Sequence, residues 1–243
     1  MDAKLRELID SSENVVFFGG AGISTESGIP DFRSEDGLYH QKYAWPPETI
    51  LSHSFFVAHT AEFFDFYRDK MLCLTAQPNR AHLALARLER QGKCRAVVTQ
   101  NIDGLHQKAG SKNVFELHGS VLRNHCTRCG KFYGVEAVKN STGIPRCSCG
   151  GVIKPDVVLY EEGLDSEVID GAVRAIAACD LLLVGGTSLA VYPAAGLIDY
   201  RGGRLAVLNK TPTPADERAD FVFHGSLGEL LGDDGGEGAG AGV

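Results

Sequence analysis

Four cysteines carry the most specific chemistry in the chain: Cys126-x2-Cys129, then seventeen residues, then Cys147-x-Cys149. Two close pairs at that separation can present four thiolates to one tetrahedral zinc. Four thiolates leave no coordination position open, so the implied metal is structural. The second pair is one residue tighter than the usual spacing, and reduced, unliganded thiols are the alternative reading. His125 adjoins the first of them, but four cysteines leave it nothing to coordinate. Cys73, Cys94 and Cys179 sit in apolar surroundings and read as small core hydrophobes.

A second group of residues suits a phosphate-bearing ligand. Gly20-Ala21-Gly22-Ile23-Ser24 directly follows an apolar run over 15–18. Glycines at such a turn let backbone approach a pyrophosphate, whose charge is met by amide N–H groups at a helix start. Alone the motif is weak, since many tight turns share it. Thr99-Gln100-Asn101, Gly186-Thr187-Ser188 and Asn209-Lys210 close other apolar runs. Parallel strands end at one edge, which would bring these polar groups to one crevice. Helix capping is the plain alternative for Thr187 and Ser188.

Such residues need strands to carry them. Short apolar runs bounded by glycine or polar residues predict strands at 15–18, 95–99, 114–117, 156–159, 181–184 and 205–208. Helical patterning covers 4–9, 61–76, 81–90 (stopped by Gly92) and 166–178. Strands alternating with helices imply an α/β fold, a parallel sheet with helices on both faces. Residues 121–153 differ: cysteines, glycines and short β-prone pieces such as 131–133, too little apolar content to hold together without a metal. The stretch from Gly232 is mostly glycine, acid and alanine and is expected to be disordered.

With 243 residues, 44% hydrophobic, the chain can bury a sizeable core. Its formal charge of −7 is spread along the sequence, without the basic face a nucleic-acid binder needs. An acidic surface tolerates lysine-rich protein partners. No apolar run approaches the twenty residues of a membrane span, and the N-terminus is polar, so a cytoplasmic protein that binds no membrane is expected. Oligomeric state is not legible; a monomer is consistent with everything above.

The glycine turn continues as Thr25-Glu26-Ser27-Gly28-Ile29-Pro30-Asp31-Phe32-Arg33. Later come Thr99-Gln100-Asn101-Ile102-Asp103-Gly104-Leu105-His106, then His118-Gly119, the cysteine quartet and Gly186-Thr187-Ser188. In order and spacing, from about 15 to 227, the chain resembles the sirtuins, the NAD-dependent protein lysine deacylases, and within them the bacterial type. The resemblance implies a Rossmann-like domain at 1–31, 77–120 and 154–231. It implies a smaller domain at 32–76 and 121–153, with a helical part and a zinc ribbon, and leaves 232–243 as the tail.

It also implies a reaction. NAD is consumed: the acyl oxygen of a modified lysine displaces nicotinamide, a histidine takes a proton from a ribose hydroxyl, and hydrolysis yields free lysine and O-acyl-ADP-ribose. His118 matches that histidine, a role that suits a group titrating near neutrality. Asn101 and Asp103 match the nicotinamide pocket, with Asn101 counted as catalytic too. Phe32 matches the ring shielding the ribose, and Arg33 a residue near phosphates and ribose. Gly20, Ala21, Gly22, Thr25, Asp31, Gln100, Ile102, Gly186, Thr187, Ser188, Asn209 and Lys210 complete the NAD contacts. Val157, Val158, Leu159 and Tyr160 match the edge on which the substrate backbone lies as an added strand.

Two rival readings remain beside deacylation: mono-ADP-ribosyl transfer to protein, and a non-catalytic NAD sensor. Intact His118, Asn101 and Asp103 favour the deacylase. The sequence departs from the family pattern at Tyr160, where phenylalanine is usual, and at Glu161, where glycine is usual; the second bears on loop geometry, because glycine admits positive φ. Succinyl-preferring sirtuins carry a tyrosine and, three residues on, an arginine. Here Pro46 follows Tyr43 at that distance, which points to acetyl-lysine.

Overall fold

The computed structural model describes residues 1–31 and 44–232. Phe32, Arg33, the segment through Tyr43, and the tail beyond Gly232 lie outside the described residues. Gly232 itself belongs to the fold: its carbonyl accepts the N-terminal ammonium and its N–H reaches Gly228 O at 3.0 Å.

Six parallel strands form the main sheet, β1 (Val15–Gly19), β2 (Cys94–Thr99), β3 (Val114–Glu116), β7 (Leu181–Gly185), β8 (Arg204–Asn209) and β9 (Phe221–His224). Their order is β3-β2-β1-β7-β8-β9. A second, antiparallel sheet holds β4 (Arg123–Cys126), β5 (Phe132–Gly134) and β6 (Ile153–Pro155), in the order β5-β4-β6. The helices are α1 (Ala3–Asp10), α2 (Pro47–Ile50), α3 (His53–Ala58), α4 (Thr60–Phe66), α5 (Arg80–Arg90), α6 (Leu105–Ala109), α7 (Glu136–Lys139), α8 (Ser166–Ala178) and α9 (Leu227–Leu231).

Alternation along the strands divides the core between two faces. Val15, Phe17, Leu181, Leu183, Ala206 and Leu208 pack under α1, α5 and α9. Val16, Phe18, Leu182, Val184, Leu205 and Val207 pack against α8 and the turn Ala194–Tyr200. Both faces are therefore dry, as an all-parallel sheet requires. A third cluster stands apart. Phe55, Phe56, Phe63, Phe64 and Tyr67 from the helical segment meet Val121, Val138 and Ile153 from the cysteine-bearing one, with Val157 and Leu159 just beyond it. Two stretches far apart in sequence thus share one core.

Three expectations change. The predicted strand at 156–159 is not one: β6 ends at Pro155, and the following residues run between His118 and the α2–α3 corner. Helix 61–76 is shorter, since α4 opens into a π turn (Tyr67–Met71) and helicity stops before Leu72. The glycine turn leads into two single 3-10 turns, Ala21–Ile23 and Thr25–Ser27, rather than a regular helix.

Candidate functional site

β1 lies between β2 and β7, so the chain steps one way from β1 to β2 and β3 and later returns to the other side. At such a switch the connections diverge and a crevice opens beyond the carboxyl ends. Here it is a cavity of about 910 Å³, at the upper end for ligand sites. Every described NAD candidate lines it: Gly20, Ala21, Gly22, Thr25 and Asp31; Gln100, Asn101, Ile102, Asp103 and His118; Gly186, Thr187, Ser188, Asn209 and Lys210. Val157, Val158, Leu159 and Tyr160 line it as well.

The glycines answer first to one another. A Cβ on Gly22 would lie 2.8 Å from Gly186 Cα, and one on Gly186 (φ +63) would lie 2.5 Å from Ile23 N. Close approach of the turns after β1 and β7 is what excludes side chains there. Gly22 N–H donates to Gly186 O at 2.8 Å and fastens the two turns together. Beside them, Asn209 Oδ1 accepts from Thr187 N at 3.2 Å and its Nδ2 donates to Thr187 O at 3.1 Å. Gln100 Nε2 donates to Thr187 Oγ1 at 3.0 Å. The polar strand ends are bonded to each other and hold one another in place.

At the inner end sits a three-residue network. Ser24 Oγ donates to Asp103 Oδ2 at 2.7 Å, and Asn101 Nδ2 donates to Ser24 Oγ at 3.0 Å and to Asp103 Oδ2 at 3.3 Å. A carboxylate only accepts, so Asp103 fixes which end of the Asn101 amide faces it. Asn101 Oδ1 is then the end available to a ligand donor. Asp103 Oδ1 accepts from Leu105 N at 2.9 Å, which anchors the carboxylate to the start of α6.

His118 follows β3. Its Nδ1 lies 2.9 Å from Gln100 O. A carbonyl can only accept, so Nδ1 carries the proton, and in the neutral ring Nε2 holds the lone pair. Burial lowers the pKa of His118 from the ordinary histidine value, against a smaller upward pull from the Gln100 carbonyl. Both effects suit a base: the ring is neutral at physiological pH, and its tautomer is set by a backbone bond.

The segment after β6 forms the opposite wall. Val158 N–H donates to His118 O at 3.0 Å, and Leu159 N–H to Glu162 Oε2 at 2.9 Å. Tyr160 N–H donates to Leu51 O and its carbonyl accepts from His53 N, each at 2.9 Å. The Tyr160 amide is thus committed to the α2–α3 corner and unavailable to an added strand.

Away from the cavity, the Sγ atoms of Cys126, Cys129, Cys147 and Cys149 all lie within 4.8 Å of one another. Cys126–Cys149 is 3.4 Å and Cys129–Cys147 is 3.7 Å. Zn–S bonds of about 2.3 Å in a tetrahedron put sulfurs about 3.8 Å apart, so this donor set fits one zinc. Tyr133 OH donates to Cys147 Sγ at 3.0 Å and Arg128 N–H to Cys126 Sγ at 3.4 Å, bonds that favour thiolates.

Several cavity residues escaped the sequence reading. Ser24 stood inside the glycine motif but was not singled out, although a buried hydroxyl between Asn101 and Asp103 organises both. Cys73 lines the cavity and is only half-buried, whereas Cys94 and Cys179 are core thiols as expected. Its thiol is shifted up by burial and by the Asp103 charge. Leu164, Val191, Tyr192 and Thr213 also line the wall, and no local pattern marks them. His82 lies on a helix as expected but is fully buried. It packs 4.9 Å, ring to ring, from the equally buried His106.

A family model described as the Sir2 family matches residues 20–193. An NAD-dependent protein deacetylase of Clostridium perfringens is 58% identical over 234 residues, 94% of this chain and 96% of its own. One of Cutibacterium acnes is 54% identical over 231 residues, 94% and 95% of the two chains. Among solved structures, a Sir2 with a p53 peptide and NAD+ superposes with a TM-score of 0.85 at 40% identity, covering 95% of this chain and 96% of that one. A Sir2 bound to an acetylated peptide superposes with a TM-score of 0.86 at 39% identity and the same coverage.

Proposed function

The chain belongs to the Sir2 family, and from that membership we propose that it is an NAD-dependent protein lysine deacetylase of the bacterial sirtuin type. It moves the acyl group of a modified lysine onto ADP-ribose and releases nicotinamide and free lysine. The observation that carries the residue assignment is His118, with Nδ1–H spent on Gln100 O and Nε2 left as base in a cavity shared with Asn101 and Asp103.

In this reading Gly20, Ala21, Gly22, Gly186, Thr187 and Ser188 receive the dinucleotide at the strand ends, with Asn209 and Lys210 at the β8 end. Asn101 offers its amide oxygen, held in place by Ser24 and Asp103. His118 accepts the ribose hydroxyl proton. The 157–160 wall takes the acyl-peptide, and Phe32 and Arg33 keep the roles their motif implies. Zinc supplies no chemistry; Cys126, Cys129, Cys147 and Cys149 use it to hold the smaller lobe together. The three packed clusters support a division into a Rossmann-like domain of 1–31, 77–120 and 154–231 and a small domain of 32–76 and 121–153, although Val157 and Leu159 pack with the small domain. Reduced thiolates and consumption of NAD fit a cytoplasmic site of action. Among the described residues no helix is long and apolar enough to cross a membrane.

His118→Ala tests the assignment. Loss of a general base lowers turnover by about a hundred- to ten-thousandfold, while NAD affinity and exchange of free nicotinamide persist. Wild-type product formation by the variant would remove His118 from its role. Mass spectrometry of the treated peptide separates loss of the acyl group from a gain of ADP-ribose.

A further inference from the structure

Glu161 has φ 75, and only one other non-glycine residue among those described, Leu189, has positive φ. An L-residue pays steric strain in this region that glycine avoids. Something must therefore hold Glu161 there, and its carboxylate shows what. Oε2 accepts from Ser54 N at 2.8 Å and Oε1 accepts from Ser54 Oγ at 3.0 Å. Ser54 lies in the first turn of α3, where backbone N–H groups have no intrahelical partner.

The bond completes a seam. Tyr160 already pairs through both backbone groups with Leu51 and His53, and Leu159 N–H is held by Glu162, itself bonded to Lys154 Nζ at 3.0 Å. Glu161 and Tyr160 both line the cavity, on the wall that continues from Val158 and Leu159.

We propose that Glu161 is a positioning residue for the acyl-peptide: its carboxylate fastens α3 to the substrate wall and sets the 158–160 edge before the peptide arrives. Glycine at this position accepts the same φ without strain but leaves the seam unfastened. Glu161 accepts the strain and closes the seam by bonding across it. The inference rests on the deacetylase reading, because the wall matters only if an acyl-peptide lies on it.

The test compares wild type, Glu161→Ala, Glu161→Gly, Ser54→Ala and the Glu161→Ala/Ser54→Ala double variant. Peptide KM, NAD KM and kcat are measured with an acetyl-lysine peptide, and binding of the same peptide, fluorescently labelled, by anisotropy. Glu161→Ala keeps the strain and loses both bonds, so peptide KM and Kd should rise about five- to twentyfold for bonds of this exposed kind. NAD KM and kcat should stay within about twofold. Glu161→Gly loses the same two bonds but also the strain that drives the unfastened loop away, so its rise should be smaller than that of Glu161→Ala without vanishing. Ser54→Ala removes one of the two bonds and should give about a two- to threefold rise, with nothing further in the double variant.

Unchanged peptide KM and Kd in Glu161→Ala would overturn the proposal, as would an equal rise in NAD KM, or losses in the double variant that simply add. A loss confined to peptides with basic flanks and abolished by salt would also overturn it, since that is direct attraction and not positioning. If wild type removes no acetyl group, the deacetylase reading fails on its own, while anisotropy with the same peptide still reports on Glu161.

Discussion

Gly119 is the residue whose replacement should most directly couple fold to chemistry. It follows His118, has φ +74, and a Cβ built on it would fall 1.9 Å from Asp156 O. Ordinary carbon–oxygen contacts begin near about 3.3 Å, so Gly119→Ala must drive the Asp156 carbonyl back by roughly 1.4 Å. Asp156 is not free to retreat: its N–H donates to Arg123 O at 2.9 Å and its carboxylate meets His125 Nδ1 at 2.6 Å. Left-handed strain costs ~1–2 kcal/mol and overpacking ~1–3 kcal/mol, together ~2–5 kcal/mol. For a chain of this size that is a fall in Tm of roughly 5–15 °C. The displaced segment carries Val158, whose N–H bonds His118 O at 3.0 Å, so His118, the proposed base, moves with it. Misplacement by about 1 Å is worth about a hundredfold in kcat/KM. Gly92→Ala is the control: φ is +76 but nothing lies within 4 Å of the built Cβ, so it carries the strain alone. Thermal unfolding and kcat/KM of both variants decide the matter. A Gly119→Ala enzyme as stable as Gly92→Ala, with wild-type kcat/KM, would refute the reasoning.

Three further outcomes follow from the structure. Metal analysis should give about one zinc per chain, and Cys126→Ala or Cys147→Ala should lose it together with cooperative unfolding of the small lobe; a metal-free chain of full stability would contradict this. Burial pushes His82 down to about 4 and His106 down to about 3, so between roughly pH 6.5 and 4 the unfolded chain binds protons that the native one refuses. Stability should fall as pH drops through that window, seen as a lower urea midpoint at pH 5 than at pH 7, and His106→Phe should flatten the slope. Acetyl-lysine should be preferred over succinyl-lysine on one peptide by about ten- to a hundredfold in kcat/KM, since no arginine occurs between Arg33 and Arg68 to grip a carboxylate; equal turnover would mean that another cation supplies the grip.

The parts of the site legible in the sequence are those fixed by local rules. Strand ends were marked by apolar runs stopping at polar residues, and the parallel sheet then gathered Gln100, Thr187 and Asn209 into one cavity. The cysteine spacing was a local signal too. Some local signals went unread: Ser226 and Glu229 form a reciprocal cap at α9, a helix absent from the sequence reading. Other features had no local signal. The segment at 156–159 has the composition of a strand, yet beyond Asp156, whose N–H still reaches Arg123 O of β4, its N–H groups go to His118 and Glu162 rather than to a neighbouring strand. β6 forms one step earlier because β4, anchored by Cys126, pairs with 153–155.

Glu161 shows why such features escape. From the sequence, a glutamate where glycine is usual reads as a conflict between residue and loop. The structure keeps the loop's positive φ and satisfies the residue instead, through a serine more than a hundred positions earlier in the chain. Nothing within several residues of Glu161 announces Ser54. His82 and His106 are the same case in reverse: each looks like an ordinary helix or loop residue, and only packing the two rings together removes them from water. Local rules therefore place the groups that line the cavity, because those sit at element ends. The groups that hold the ends at a fixed distance from one another depend on pairings across the fold, and it is there that this chain differs from the family pattern.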